Sequence, residues 1–99
     1  MTISKKTQDN TTVLLIEGRL DTQSAPALCQ EIDAIDDTLN LVLDFEKLEY
    51  ISSYGLREII SAYKKVTGKG GEFSIIHVRK DVMDVFRLTG LNKKLTLSC

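Results

Sequence analysis

Three mostly apolar runs, at 11–17, 39–45 and 73–78, the first of them rich in β-branched residues, alternate along the chain with segments whose apolar residues recur at helical spacing. Neighbouring strands that run in the same direction need a crossover between them, and a helix is the usual one. The alternation therefore restricts the fold to the α/β class with parallel neighbours in the sheet. One helix carries Ala25, Leu28, Cys29, Ile32 and Ile35 on its apolar face, with Asp21, Thr22 and Ser24 as capping residues and Pro26 in its first turn. Another runs from Gly55, with Leu56, Ile59, Ile60, Tyr63 and Val66 opposite Arg57, Glu58, Ser61, Lys64 and Lys65, and stops at Thr67-Gly68. A third, from about Asp81, is striped by Val82, Val85 and Phe86.

Residues 2–8 are expected to form a hairpin with the first run through a turn at Asp9-Asn10, and Leu95 to Leu97 a short edge strand. The expected order is ββαβαβαβ: a mixed open sheet with amphipathic helices packed on it, in which Leu41-Val42-Leu43 belongs to an interior strand covered by helices. Cys29 is expected in the core, because free cysteine buries readily. At 99 residues the chain has the length of one domain, and a single domain over 1–99 is expected.

Charge and hydropathy exclude several classes. With 13 basic and 14 acidic residues the net charge is -1, a balance that gives no field for drawing in phosphate backbones or anionic lipid, so neither nucleic acid nor membrane is expected as a partner. The longest purely apolar run is Val13 to Ile16, against the roughly 20 residues of a spanning helix. The N-terminus continues from Lys5-Lys6 into polar residues and not into an apolar signal core, which points to a cytoplasmic protein. Cys29 and Cys99 have no metal-ligand spacing.

In open sheets of this kind functional groups gather beyond the carboxyl ends of the strands, where loops lead into helix N-termini. Two loops qualify, Glu17 to Ser24 and Glu46 to Gly55. The second places Ser52 and Ser53 at a helix start. Unpaired amides and the helix dipole favour negative charge there, so a phosphate on either serine could be held, while the residue types alone favour a simple cap. Gly55 is expected to supply a tight turn.

The same residues resemble a known family, the STAS domains of bacterial anti-sigma factor antagonists. Its glycine-x-leucine-aspartate element is matched by Gly18-Arg19-Leu20-Asp21, its apolar strand ending in aspartate by Leu41-Val42-Leu43-Asp44, and its late threonine-glycine-leucine by Thr89-Gly90-Leu91. The family's Asp-Ser-Ser-Gly-Leu signature aligns with Ser52-Ser53-Tyr54-Gly55-Leu56, so that Ser52 stands for the aspartate and Tyr54 for the second serine. The resemblance implies a partner-switching module that binds an anti-sigma factor with serine kinase activity and thereby frees a sigma factor. It also implies that Ser53 is the phosphoacceptor, that phosphorylation ends the binding, and that a metal-dependent serine phosphatase restores the serine. The kinase supplies ATP and magnesium, so the chain itself needs no cofactor. By the same resemblance Asp21 and Thr22, together with Ser52, Ser53, Tyr54 and Gly55, form the partner-binding surface, where Tyr54 can serve as an aromatic anchor.

Rival functions have less in the sequence to support them. A hydrolase would pair Ser53 with the only histidine, His77, but Ile51 fills the position where a nucleophile elbow needs glycine. His77 falls in a strand pattern, as a structural or surface histidine does, and the chain is not expected to be an enzyme. Gly68-Lys69-Gly70-Gly71 lacks the spacing of a phosphate-binding loop and suits a left-handed helix cap, with Lys64, Lys65 and Lys69 at the negative end of the dipole. Asp33, Asp36 and Asp37 suit a solvated face better than a metal site. A STAS adaptor that is never phosphorylated, in a signalling or transport assembly, and a small-ligand or nucleotide sensor are the remaining alternatives.

Overall fold

A computed structural model describes residues 1–35 and 39–99. The chain opens with a hairpin, β1 (Thr2–Gln8) and β2 (Thr11–Leu20), followed by α1 (Ala25–Asp33), β3 (Asn40–Asp44), β4 (Leu48–Ile51), α2 (Ser53–Gly68), β5 (Phe73–Ile76), α3 (Lys80–Thr89) and β6 (Thr96–Leu97). The strands lie in the order β1-β2-β3-β5-β6, with β4 paired to β2 away from this path. Among the described residues only the hairpin is antiparallel, with Ile3 opposite Ile16 and Lys5 opposite Leu14. The pairs of β2 with β3, β2 with β4, β3 with β5 and β5 with β6 are parallel. The expected mixed α/β sheet is therefore present. The order ββαβαβαβ is corrected by one strand, β4, which lies in the segment expected to be a loop.

Burial alternates along β2 and β3: Thr12, Leu14 and Ile16, then Leu41 and Leu43, are fully covered, while Val13, Leu15 and Val42 between them are only half-buried. The period of two places each set on one face of the sheet. The sealed face joins Leu28 and Ile32 of α1, Leu56, Ile59, Ala62 and Val66 of α2, and Val82, Met83 and Phe86 of α3 in one core, where Phe45 stacks on Phe86 at 6.5 Å between ring centroids. Each fully covered leucine or isoleucine contributes about 1.5–3 kcal/mol by leaving water. β3 is thus an interior strand covered on one face, not on both, and the half-buried side of Val42 is the correction.

Local boundaries depart from expectation for identifiable reasons. Ile35 is buried but lies beyond the end of α1, and Cys29 is half-buried, not core. The α2 helix begins two residues before Gly55, and its buried stripe runs through Ala62, with Ile60 and Tyr63 at the margin. The left-handed glycine expected in the cluster after it is Gly70 (φ +83°). Strand β5 stops at Ile76 because His77 turns left-handed, with φ +56°. Asp33 pairs with Lys65 at 3.3 Å, whereas Asp36 and Asp37 lie outside the described residues.

Candidate functional site: the ends of strands β2 and β4

Strand β2 is shared between two neighbours. Residues 11–15 pair with β3, and after Gly18 (φ +98°) the register shifts so that Arg19 meets Tyr50 and Leu20 meets Ile51 of β4. The irregularity turns the last residues of β2 away from one partner and onto the other, a common role for a bulge at a site. Because β2 and β4 run parallel and end side by side, the segments that leave them emerge together. The Ser52 amide donates to the Leu20 carbonyl at 2.9 Å and ties the two exits.

The first exit is a self-braced loop. Asp21 Oδ1 accepts from the Gln23 amide (3.0 Å) and the Ser24 amide (3.2 Å), while Ser24 Oγ donates to the Arg19 carbonyl at 2.7 Å and accepts from the Asp21 amide at 2.9 Å. The Ser24 amide foremost holds the Asp21 carboxyl below the usual carboxylate range. Asp21 is therefore an anion whose lone pairs brace its own loop, and Thr22 stands exposed at the tip.

The second exit separates the two serines. Ser52 is extended (φ -96°, ψ 175°) and caps α2, its Oγ accepting from the Gly55 amide at 3.3 Å. Ser53 is the first helical residue and is exposed, and its hydroxyl has no hydrogen bond among the described residues. Tyr54 is 52% exposed, with Arg57 over its ring at 5.6 Å. Tyr50, also exposed, carries Arg19 at 4.2 Å from its ring centroid. At exposed positions such as these each stack contributes about 0.5–1 kcal/mol.

Gly55 has a role other than the expected tight turn. It is buried in the first turn of α2, and a Cβ there would lie 2.8 Å from Ile51 Cγ1, 2.9 Å from Leu20 Cγ and 2.9 Å from the Leu20 carbonyl oxygen. Its lack of a side chain lets the helix start press against both strands. The structure thus brings Asp21, Thr22, Ser52, Ser53, Tyr54 and Gly55 to one end of the sheet, with Ser53, Tyr54 and Thr22 on the surface and Ser52 and Gly55 supporting them. The Arg19–Tyr50 stack had no sequence signal, since it depends on the register of β4.

His77 lies elsewhere, at the ends of β3 and β5. Its Nδ1 is 2.9 Å from Asp44 Oδ1, an oxygen that also accepts from the Glu46 amide at 3.0 Å. The hydrogen bond to Asp44, and then its charge, raise the imidazole pKa above the usual value. Asp44, Glu46 and His77 bring donor atoms within 4.8 Å of one another, so they could hold a metal ion, but the shared oxygen of Asp44 is already engaged by protein groups. No hydrogen bond joins His77 to Ser53 among the described residues. A depression beside the first exit, lined among others by Gly18, Arg19, Asp21 and Glu49, is open to solvent. No helix among the described residues is long and apolar enough to cross a membrane.

Comparison with known proteins agrees with this architecture. The anti-sigma-B factor antagonist of Bacillus subtilis is 24% identical over 97 residues, covering 97% of this chain and 89% of the relative. An anti-sigma factor antagonist from Mycobacterium paratuberculosis has a crystal structure with TM-score 0.87 and 30% identity, over 98% of this chain and 84% of that one. The Bacillus cell fate determinant SpoIIAA in its phosphorylated form shares the fold at TM-score 0.79 and 16% identity, over 99% of this chain and 92% of that one. The STAS domain family model matches residues 2–98, and with this sheet, this helix start and these relatives the chain belongs to the STAS domain family.

Proposed function

We propose that the chain is an anti-sigma factor antagonist that works by phosphorylation-controlled partner switching. In its unmodified form it docks, through Ser53, Tyr54 and the neighbouring Asp21-Thr22 loop, onto an anti-sigma factor with serine kinase activity and releases a sigma factor. The kinase transfers the γ-phosphoryl group of ATP: the Ser53 Oγ–P bond forms as the bond to ADP breaks, and the hydroxyl proton is released. A metal-dependent serine phosphatase reverses the modification. The chain acts by docking and not by catalysis.

The observation that carries this proposal is the division of labour between the serines. Ser52 is committed to the cap, and Ser53, one residue on, presents on the surface where the two strand exits meet a hydroxyl with no hydrogen bond among the described residues. The relatives named as anti-sigma factor antagonists support the antagonist role, and the existence of SpoIIAA in a phosphorylated form supports control by phosphorylation. A phosphate adds about -1.5 to -2 charges. An unmatched charge in a docked surface costs several kcal/mol, and a loss of about 3 kcal/mol weakens binding more than a hundredfold.

The test is retention of the partner kinase by immobilised wild type, Ser53→Ala and Ser53→Asp, together with mass mapping after incubation with kinase, ATP and magnesium. Retention by wild type, its loss in Ser53→Asp and a phosphate mapped to Ser53 are expected. Equal retention of wild type and Ser53→Asp overturns the switch. The exposed Tyr54, stacked with Arg57, favours one second assignment, a STAS adaptor held by this aromatic anchor and never phosphorylated; absence of phosphate on Ser53 with partner binding intact would establish it.

A further inference from the structure

Helical side chains lean toward the N-terminus, so the surface a residue covers lies over the turn before it. Arg57 follows this rule visibly: its guanidinium lies back over the first turn of α2, 5.6 Å from the Tyr54 ring centroid. Ser53 is one helical turn before Arg57, at the i,i+4 spacing where side chains on one helix face are neighbours. Both residues are exposed.

Resting on the proposed phosphorylation of Ser53, we propose that Arg57 is the phosphate-clamping residue of this chain, leaving the Tyr54 ring to pair with a phosphate on Ser53. A guanidinium presents paired donors that match phosphate oxygens, and a charge-assisted bidentate pair is stronger than a stack on an exposed ring. The helix dipole adds to the attraction, since Ser53 lies in the first turn of α2. The modification then changes three side chains at once. Ser53 gains charge, Arg57 is neutralised by it, and Tyr54 loses its cation, so the aromatic part of the docking surface is altered along with its electrostatics. Arg57 thereby determines how far the modified state differs from the unmodified one.

The experiment uses the full chain with phosphoserine installed at position 53 by genetic encoding, which removes any dependence on a kinase. Phosphorus NMR follows the second ionisation of the phosphate, ordinarily near pH 6, in the wild-type background and in Arg57→Gln and Arg57→Lys. Asp21 on the neighbouring loop, Arg19 and Glu49 on the adjoining strands, and Glu58 on α2 are the same in all three proteins, so the difference isolates Arg57. The wild-type value is expected roughly half a pH unit below that of Arg57→Gln, the scale of an exposed ion pair, with Arg57→Lys retaining part of the shift. Ring-current shifts of the Arg57 side-chain protons should also be present in the unmodified chain and diminished in the phosphorylated one. Identical phosphate titrations in wild type and Arg57→Gln overturn the clamp. The two proposals fail separately: a clamp seen by titration with undiminished partner retention defeats the docking switch alone, and lost retention with identical titrations defeats the clamp alone.

Discussion

The same substitution at the two ends of α2 should have opposite effects. At Gly55 a Cβ would meet two side chains and one backbone carbonyl under 3.0 Å, and the carbonyl belongs to Leu20, a fully covered residue that cannot yield without moving β2. Overpacking of this kind costs about 1–3 kcal/mol, and three close contacts place Gly55→Ala toward the upper end. Alanine recovers at most about 1 kcal/mol of helix propensity, leaving a net loss of about 1–2 kcal/mol. At Gly68 nothing lies within 4 Å of the added carbon, so Gly68→Ala keeps the propensity gain, reduced at a helix end to about 0.5 kcal/mol. For a domain of this size about 1 kcal/mol moves Tm by roughly 4–8 °C. Thermal unfolding followed by circular dichroism should therefore show Gly55→Ala melting roughly 5–15 °C below wild type and Gly68→Ala slightly above it. A Gly55→Ala protein that melts at or above wild type would show that the helix start has slack and refute the packing account.

Two further outcomes follow from the titrating groups. Because Asp44 raises the His77 pKa, the folded state binds that proton more tightly than the unfolded chain; the pair's stabilisation is full below the unfolded value of about 6.5 and fades as pH rises through the raised folded value. The Tm difference between wild type and His77→Ala should accordingly be larger at about pH 5.5 than at about pH 8.5, and a difference independent of pH would show that the imidazolium contributes nothing. Burial foremost, followed by Glu58 and Asp33, raises the Cys29 thiol pKa, whereas Cys99 is exposed. A thiol-reactive chromophore at neutral pH should label Cys99 first and Cys29 in a slower phase; a Cys29→Ser protein that loses the faster phase would contradict this.

What the sequence revealed, and what it withheld, divides along periodicity. The runs at 11–17, 39–45 and 73–78 carry enough β-branched and apolar residues to announce strands, and the i, i+3, i+4 stripe from Leu56 to Val66 announces α2. Strand β4 escaped notice because Leu48 and Ile51 are buried with Glu49 and Tyr50 exposed between them, a pattern that does not alternate. With β4 missing, the register that sets Arg19 on Tyr50 and brings Asp21 beside Ser52 was beyond reach. The serine pair was visible as a pair, but only geometry assigns the cap to Ser52 and the surface to Ser53. Gly55 was legible as indispensable for the wrong reason: its position in the chain suggests a turn, and the absence of room for a methyl group appears only when Leu20 and Ile51 are in place. Cys29 sits on the spacing of the apolar face, yet the face it occupies is the margin where Glu58 and Asp33 reach it.

The anchoring of α2 sets the tempo at which its first residue can be used. Leu56, Ile59, Ala62 and Val66 hold the helix to the sheet, while Ser53 stands outside that grip. Under the proposed switch, an enzyme acting on this hydroxyl would meet it already presented and would wait for no segment to open, so the response time would belong to the modifying enzymes and to their concentrations. In that scheme the domain serves as a preformed surface, and the timing is set outside it.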